Sequence, residues 1–115
     1  TNTPSQALLL LNEAEYLRAA RELARKVLGI EETRTSRRLA LAFETVTSRL
    51  PDKTERQILS DLLRTLEKNY RKRPELAAEM CRGVKLATAR ERAQLAAWTV
   101  VVNALYNLDI TKTRE

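Results

Sequence analysis

Apolar residues recur at helical spacing along most of this 115-residue chain, in stretches that glycine and proline separate. Within a stretch the apolar positions lie three or four residues apart, as they do on one face of an α-helix. The separating residues are Pro4, Gly29, Pro51, Pro74 and Gly83. The pattern therefore predicts a succession of helices joined by short turns.

The first stretch predicts a helix that begins at Pro4, after a threonine N-cap. Residues 7–11 are apolar on every side, which predicts burial all round. Asn12 and Glu15 have the spacing of a capping box, so we expect a break at Asn12; a continuous helix is the alternative. One apolar face follows, and Gly29 suits the C′ position that ends the helix. That face comprises Tyr16, Leu17, Ala20, Leu23, Ala24 and Val27.

The second and third stretches predict two amphipathic helices on either side of a proline turn. The second helix is expected within Thr33 to Arg49, and Pro51 ends it. Its apolar stripe, the line of apolar side chains along one face of the helix, comprises Leu39, Phe43, Val46 and Leu50. Thr54 and Gln57 have capping-box spacing and open the third helix, which should stop before Pro74. The third stripe is Ile58, Leu59, Leu62, Leu63, Leu66 and Tyr70.

The last stretches predict a short fourth helix and a broadly apolar fifth one. The fourth runs from Pro74 to Arg82, and Gly83 ends it. Thr88 and Glu91 form the capping box of the fifth helix, whose breadth of apolar positions predicts a central place in the fold. Residues Asp109 to Glu115 are polar and are expected to form a tail. The fifth apolar face includes Leu95, Trp98, Val101, Val102, Leu105 and Leu108.

Composition supports an all-α fold. Leu and Ala, the apolar residues that suit helices best, number 19 and 15, whereas Val and Ile together number nine. We predict that residues 1–115 form a single helical domain, a compact bundle of four main helices plus one short helix. The predicted core is Leu17, Leu23, Val27, Leu39, Phe43, Val46, Leu59, Leu62, Leu66, Leu95, Trp98, Val102 and Leu105.

The residue types that the chain lacks exclude several kinds of catalytic and metal-binding site. The chain has no histidine and one cysteine, so it has no His-dependent catalytic triad, imidazole metal ligand, internal disulfide or Cys-rich zinc site of its own. No acid is paired across a predicted cleft with a second acid. We therefore predict no catalytic residues, no metal and no cofactor. Cys81 is expected to be a small packing residue rather than a reactive thiol.

Positive charge is unevenly spread. The chain carries a net charge of +6, and residues 61–90 hold eight cations and four anions, so that stretch contributes 8 − 4 = +4. One interpretation is a site for nucleic acid or sulfated polysaccharide. The favoured one is a solvated face whose cations complement the C-terminus of the third helix, since only Tyr70 could stack on a base. The cluster is Arg64, Lys68, Arg71, Lys72 and Arg73.

Several segments, taken in order, resemble a known family. They are TNTPSQALLLLN at residues 1–12, Ala19 to Ala24, Arg49-Leu50-Pro51 with Glu55, Ala97 to Thr99, Leu105 to Asp109 and Thr113 to Glu115. Together they are similar to the C-terminal portion of the PSD-one family, a domain of unknown function in large planctomycete proteins associated with cytochrome c-like domains. The family often has proline where this chain has Ala14, and Ile110 and Lys112 depart from its pattern.

The resemblance implies a cellular location and a larger parent protein, but no catalysed reaction. Such proteins are typically exported, which implies an exported or periplasmic location, and any haem would lie in another domain. The chain begins with Thr1, which we interpret as the start of a fragment of a larger protein. We expect a non-catalytic helical interaction or packing module. Its partners would be other domains of the parent protein, or a second copy through the face at Leu8 to Leu11. No apolar run is long enough to predict a transmembrane segment.

Overall fold

The computed structural model describes residues 13–114, and the side chains of residues 14–109. Over that range the chain forms helices and no strand, which confirms the all-α fold with four main helices and a short one. The helices are α1 (Glu13–Gly29), α2 (Thr35–Thr47), α3 (Lys53–Lys72), α4 (Pro74–Met80) and α5 (Ala89–Arg114). The expected helix start at Pro4, the burial of residues 7–11 and the break at Asn12 lie outside the described residues.

Helix α5 lies at the centre of the fold, as its broad apolar surface predicts, and it contacts each of the other four helices. Trp98 and Leu105 are 2% exposed, so the helix is buried on several sides through its middle. Thr99 is a buried polar residue on this helix, and its Oγ1 donates to the carbonyl oxygen of Leu95 at 2.8 Å. That bond satisfies the hydroxyl within its own helix, so the core needs no polar partner from elsewhere.

Most of the predicted core is buried. The confirmed members are Val27, Leu39, Phe43, Val46, Leu59, Leu95, Trp98, Val102 and Leu105. Four predicted members, Leu17, Leu23, Leu62 and Leu66, are only half-buried. Leu23, Leu62 and Leu66 pack against the buried core at its margin, whereas the prediction is wrong for Leu17, which lies outside that cluster. The apolar stripe of a helix is wider than the contact that buries it fully.

Three apolar positions assigned to helix stripes face outward. Leu50 is 63% exposed, Ile58 59% and Leu108 55%. Leu50 lies beyond the end of α2, so it does not continue that helix's stripe. On α3, Leu59 and Leu63 turn fully inward, and Ile58 falls outside this narrower line of contact.

Two helices end differently from the prediction. Helix α2 lies within the predicted range of Thr33 to Arg49, but it ends at Thr47 and not at Pro51, because Ser48 adopts a left-handed conformation (φ 65°) and its N–H donates to Glu44 O at 2.8 Å. Gly29 is the last residue of α1 rather than its C′ residue, and it does not have a positive φ. In α2 the backbone of Ser48, and not the proline, therefore ends the helix.

Helices α4 and α5 also differ from the prediction at their C-termini. Helix α4 ends at Met80 rather than Arg82, and Gly83 lies in the following turn with φ +86°. Helix α5 continues through Arg114, so the expected polar tail from Asp109 is wrong over the described residues. Since no glycine or proline follows Asp109, nothing interrupts the backbone hydrogen bonds of the helix there.

Helix α3 begins two residues earlier than the prediction. Asp52, not Thr54, is the N-cap: its Oδ1 accepts from the Glu55 N–H at 2.8 Å, and Glu55 Oε1 accepts from the Asp52 N–H at 2.9 Å. Asp52 rather than Thr54 is the N-cap because Asp52, directly after Pro51, has the extended backbone conformation that an N-cap requires.

The capping box predicted for α5 is confirmed. Thr88 Oγ1 accepts from the Glu91 N–H at 3.1 Å, and Glu91 Oε1 accepts from the Thr88 N–H at 3.2 Å. The helix therefore starts where the sequence places it.

Candidate binding surface

Two adjoining concavities run along α1, the C-terminal end of α3 and α4. Their volumes are about 570 Å³ and 520 Å³, and Tyr70 and Leu76 line both. We call the two together the basic groove. Its apolar floor is formed by Leu17, Leu66, Tyr70, Leu76 and Met80, and its charged rim by Arg18, Arg21, Lys72, Arg73, Glu79 and Arg82.

Local helix geometry explains which side chains reach the groove from α1 and α4. On α1, Leu17, Arg18 and Arg21 lie at spacings of one, three and four residues, and so share one side of the helix. On α4, Ala77 is buried in the core, while Leu76 and Met80, four residues apart, line the groove. Leu76 is 44% exposed, so the floor offers apolar surface to solvent.

The reversal of the chain between α3 and α4 positions the far end of the groove. Arg73 caps both helices: its N–H donates to the carbonyl oxygens of Asn69 (3.1 Å) and Tyr70 (3.2 Å), and Pro74 starts α4 at once. Because the turn takes a single residue, Lys72 and Arg73 lie beside Leu76 instead of extending away from the bundle.

The cations of the groove differ from most other arginines of the surface. Elsewhere ion pairs join Arg25 to Glu22, Arg34 and Arg37 to Glu32, Arg49 to Glu55 and Arg64 to Asp61. Arg18, Lys72, Arg73 and Arg82 are exposed and form no ion pair with a residue that the structure describes. Arg21 differs again, since its Nη1 donates to Met80 O at 3.2 Å and ties α1 to α4.

Tyr70 occupies the middle of the groove. Burial raises the pKa of its phenol above 10.0, so the hydroxyl stays protonated at neutral pH. The ring belongs to both concavities. It therefore presents a neutral, half-buried aromatic surface between two groups of cations.

Four of the five cations predicted from sequence as one patch line two different depressions. Lys72 and Arg73 line the basic groove, but Arg64 and Arg71 line a separate depression of about 230 Å³ beside Glu67. Lys68 is exposed and lines neither.

Arg64 and Arg71 also have partners of their own. Arg64 Nη1 lies 3.4 Å from Asp61 Oδ1, and Arg71 Nε donates to Glu67 O at 3.3 Å. Arg71 and Lys72 fall in the last turn of α3, where cations complement the helix dipole. These contacts fit the solvated-face interpretation for that part of the cluster.

Sequence reasoning missed Arg18, Arg21 and Arg82. The spacing of Leu17, Arg18 and Arg21 on one helix was available as a signal. What joins them to Met80 and Arg82 is contact between α1 and α4, across 59 residues in the case of Arg21 and Met80.

Cys81 is a packing residue, as expected. It is 2% exposed, its Sγ donates to Arg92 O at 3.3 Å, and burial raises the pKa of its thiol above 9.0. Within residues 13–114 no group of three or more His, Cys, Asp or Glu side chains is arranged to hold a metal ion.

Comparison with known proteins adds a family but not an activity. The PSD1 family model, described as protein of unknown function (DUF1553), matches residues 1–63. The chain belongs to this family. The family match covers α1, α2 and the first half of α3, and so includes the α1 side of the basic groove but not its α4 side. Neither the curated proteins nor the solved structures searched contain a match.

No helix of the described region combines the length and the apolar character that a membrane crossing requires.

Proposed function

We propose that this chain is a non-catalytic helical module that packs against other polypeptide segments of a larger protein. The observation that carries the proposal is the basic groove, which places exposed Leu76 and half-buried aliphatic side chains beside several cations. Catalysis by general acid–base chemistry would need a proton donor and a proton acceptor that both face the reacting atoms, and the proposal assigns the groove no such pair. An apolar floor with a charged rim is the usual composition of a surface that binds another chain.

The use of other polar side chains supports a structural role. Arg38 Nη2 donates to Leu28 O at 3.3 Å, which joins α2 to the end of α1. Arg92 Nη1 donates to Leu86 O at 3.2 Å, which holds the connection before α5 against that helix. Asp52, Glu55 and Glu91 cap helices. These groups stabilise the bundle and its connections, which is what a rigid binding platform requires.

We further propose that the chain is the C-terminal part of an exported, cytochrome-associated planctomycete protein. Membership of the PSD1 family supports the proposal, as does the similarity of residues 1–12 and of Arg49-Leu50-Pro51 to that family's pattern. Any haem of the parent protein would be held by a different domain, and the location would be exported or periplasmic. The parent's other domains would be the partners of this module.

Hydrogen exchange of the isolated chain and of the intact parent protein tests the proposal. We expect the amides of α4 and of the first turns of α1 to exchange more slowly in the parent, because its other segments cover the groove. Amides on the solvent face of α2 serve as the internal control and should not change. Equal exchange rates throughout, or a structure of the parent in which these helices line an active-site cleft, would contradict the proposal.

Polyanion binding is a second candidate, favoured by Lys72 and Arg73 at one end of the groove, which form no ion pair with a described residue. Heparin or DNA should then bind the chain with an affinity that falls steeply as salt rises. Negligible binding at low salt would remove this candidate.

A further inference from the structure

We infer that the basic groove binds an acidic amphipathic helix, whose aliphatic side chains lie on the floor and whose carboxylates meet the rim. The inference rests on the proposed function, since it names the kind of segment that the module takes.

The floor of the groove is complementary to the apolar face of such a helix. Leu76 is 44% exposed, and Leu17 and Met80 are half-buried beside it. An unbranched methionine adapts to side chains of different shape, and a partner's leucines would remove this surface from water. The two adjoining concavities suit apolar side chains on successive turns of a helix, which recur at three- and four-residue spacing.

The rim provides the charged half. Arg18 and Arg82 line the first concavity, and Lys72 and Arg73 line the second. None of the four forms an ion pair with a described residue, and Glu79 is the one acid among the described residues that line the groove. A helix with carboxylates on both sides of its apolar stripe would place them against these cations and fix its register.

The composition of the floor favours a polypeptide over a nucleic acid. Proteins that bind single strands combine a basic path with several stacking aromatics, but here Tyr70 is the one aromatic of the floor and it is half-buried. Aliphatic side chains are complementary to leucine or isoleucine rather than to bases.

A binding titration with a synthetic peptide tests the inference. The probe is a fluorescently labelled helix of about five turns with leucines at i, i+3, i+4 and i+7 and glutamates elsewhere. The matched control peptide carries lysines in place of the glutamates. We expect the full chain to bind the acidic peptide and not the lysine peptide.

Three variants of the chain locate the site. Leu76→Ala and Arg82→Glu should each weaken binding of the acidic peptide by roughly tenfold or more. Arg56→Glu makes the same charge change on exposed α3 surface outside the groove and should leave the affinity close to that of the wild type. Circular dichroism verifies that each variant is folded; Leu76 and Arg82 are both exposed, so neither change opens the core.

Four outcomes would overturn the inference. In the first, the acidic peptide does not bind. In the second, binding is lost in Arg82→Glu but unchanged in Leu76→Ala, which indicates a purely electrostatic polyanion site. In the third, the chain dimerises and Leu76→Asp prevents it, which means that a second copy covers the groove. In the fourth, Leu9→Asp shifts the amide resonances of Leu76 and Met80 without peptide, so that the chain's own apolar run is the occupant.

These failures are separate from failure of the proposed function. Slow exchange of α4 amides in the intact parent would still support a packing module even if no acidic helix binds. If the α4 amides exchange equally fast in the isolated chain and in the parent, but the acidic peptide still binds, the groove would be a binding site for a separate partner protein.

Discussion

Arg49 and Glu55 form a two-point ion pair across the turn that joins α2 to α3. Arg49 Nη1 donates to Glu55 Oε1 at 2.8 Å, and Nη2 donates to Oε2 at 2.6 Å. The same guanidinium lies 4.8 Å from the centre of the Phe43 ring. Because Glu55 also accepts from the Asp52 N–H, one carboxylate links the end of α2, the turn and the first turn of α3. The hydrogen bond from Arg49 to Glu55 raises the pKa of Arg49.

The N-cap of α3 provides a test of this turn. Asp52→Ala should lower the free energy of unfolding by about 1 kcal/mol, because it removes the acceptor for the Glu55 N–H. Thr54→Ala, at the N-cap position that the sequence predicted, should change it by less than about 0.5 kcal/mol. Urea denaturation measures both. A larger loss for Thr54→Ala than for Asp52→Ala would contradict the assignment.

Two apolar residues of the predicted α3 stripe should differ strongly in the stability that truncation costs. Leu63 is 1% exposed, so Leu63→Ala should cost about 2–5 kcal/mol through lost burial and a cavity. Ile58 is 59% exposed, and Ile58→Ala should lie within about 0.5 kcal/mol of wild type. Chemical denaturation of both variants measures the difference. Similar losses at both positions would mean that α3 presents a different face to the core.

The two glycines should respond with opposite sign to the same substitution. Gly29 is the last helical residue of α1 and a Cβ there meets nothing within 4 Å, so Gly29→Ala should stabilise the chain by about 0.4–1 kcal/mol. Gly83 has the same open space but φ +86°, so Gly83→Ala should destabilise it by about 1–3 kcal/mol through backbone strain. Thermal unfolding gives the sign directly, and a common sign would be inconsistent with these backbone conformations.

Alkaline pH should destabilise the fold partly through Cys81. Burial raises the pKa of its thiol in the folded state above 9.0, against the opposing effect of Arg21 and Arg92. A raised folded-state pKa means that the folded chain holds the proton more tightly, so this contribution is fully present below the unfolded-state pKa and is lost as pH rises through the folded-state value.

A variant isolates that contribution. Cys81→Ala should lose less stability than wild type when urea denaturation is repeated at increasing pH above 9.0. Tyr106, whose pKa is also raised by burial, remains in both proteins and supplies a common background. Parallel pH profiles for the two proteins would refute the assignment to Cys81.

Much of the helical framework could be predicted because its signals are local. The capping box of Thr88 and Glu91 involves residues three apart, and the α3 stripe repeats within one helix. Errors arose where two local signals competed. Asp52 and Thr54 are both acceptable N-caps, and the conformation of the residue after Pro51 decides between them.

The candidate site was less predictable than the framework. Lys72 and Arg73 were recognised from charge, but Arg18 and Arg82 were not, because they lie on helices far apart in the chain. Charge density along the sequence also grouped Arg64 and Arg71 with them, although these two line another depression beside Glu67.

Residue order alone determined that the chain is all-α, how many helices the described region contains and which helix is central, since periodicity, caps and breakers act within a few residues. The tertiary structure decided which side of each apolar stripe is fully buried, because that depends on the width of the contact with α5. The tertiary structure also determined which side chains come together to form the basic groove. The one-residue reversal at Arg73 and the bond from Arg21 to Met80 O place α4 across the groove from α1, and no local pattern encodes that arrangement.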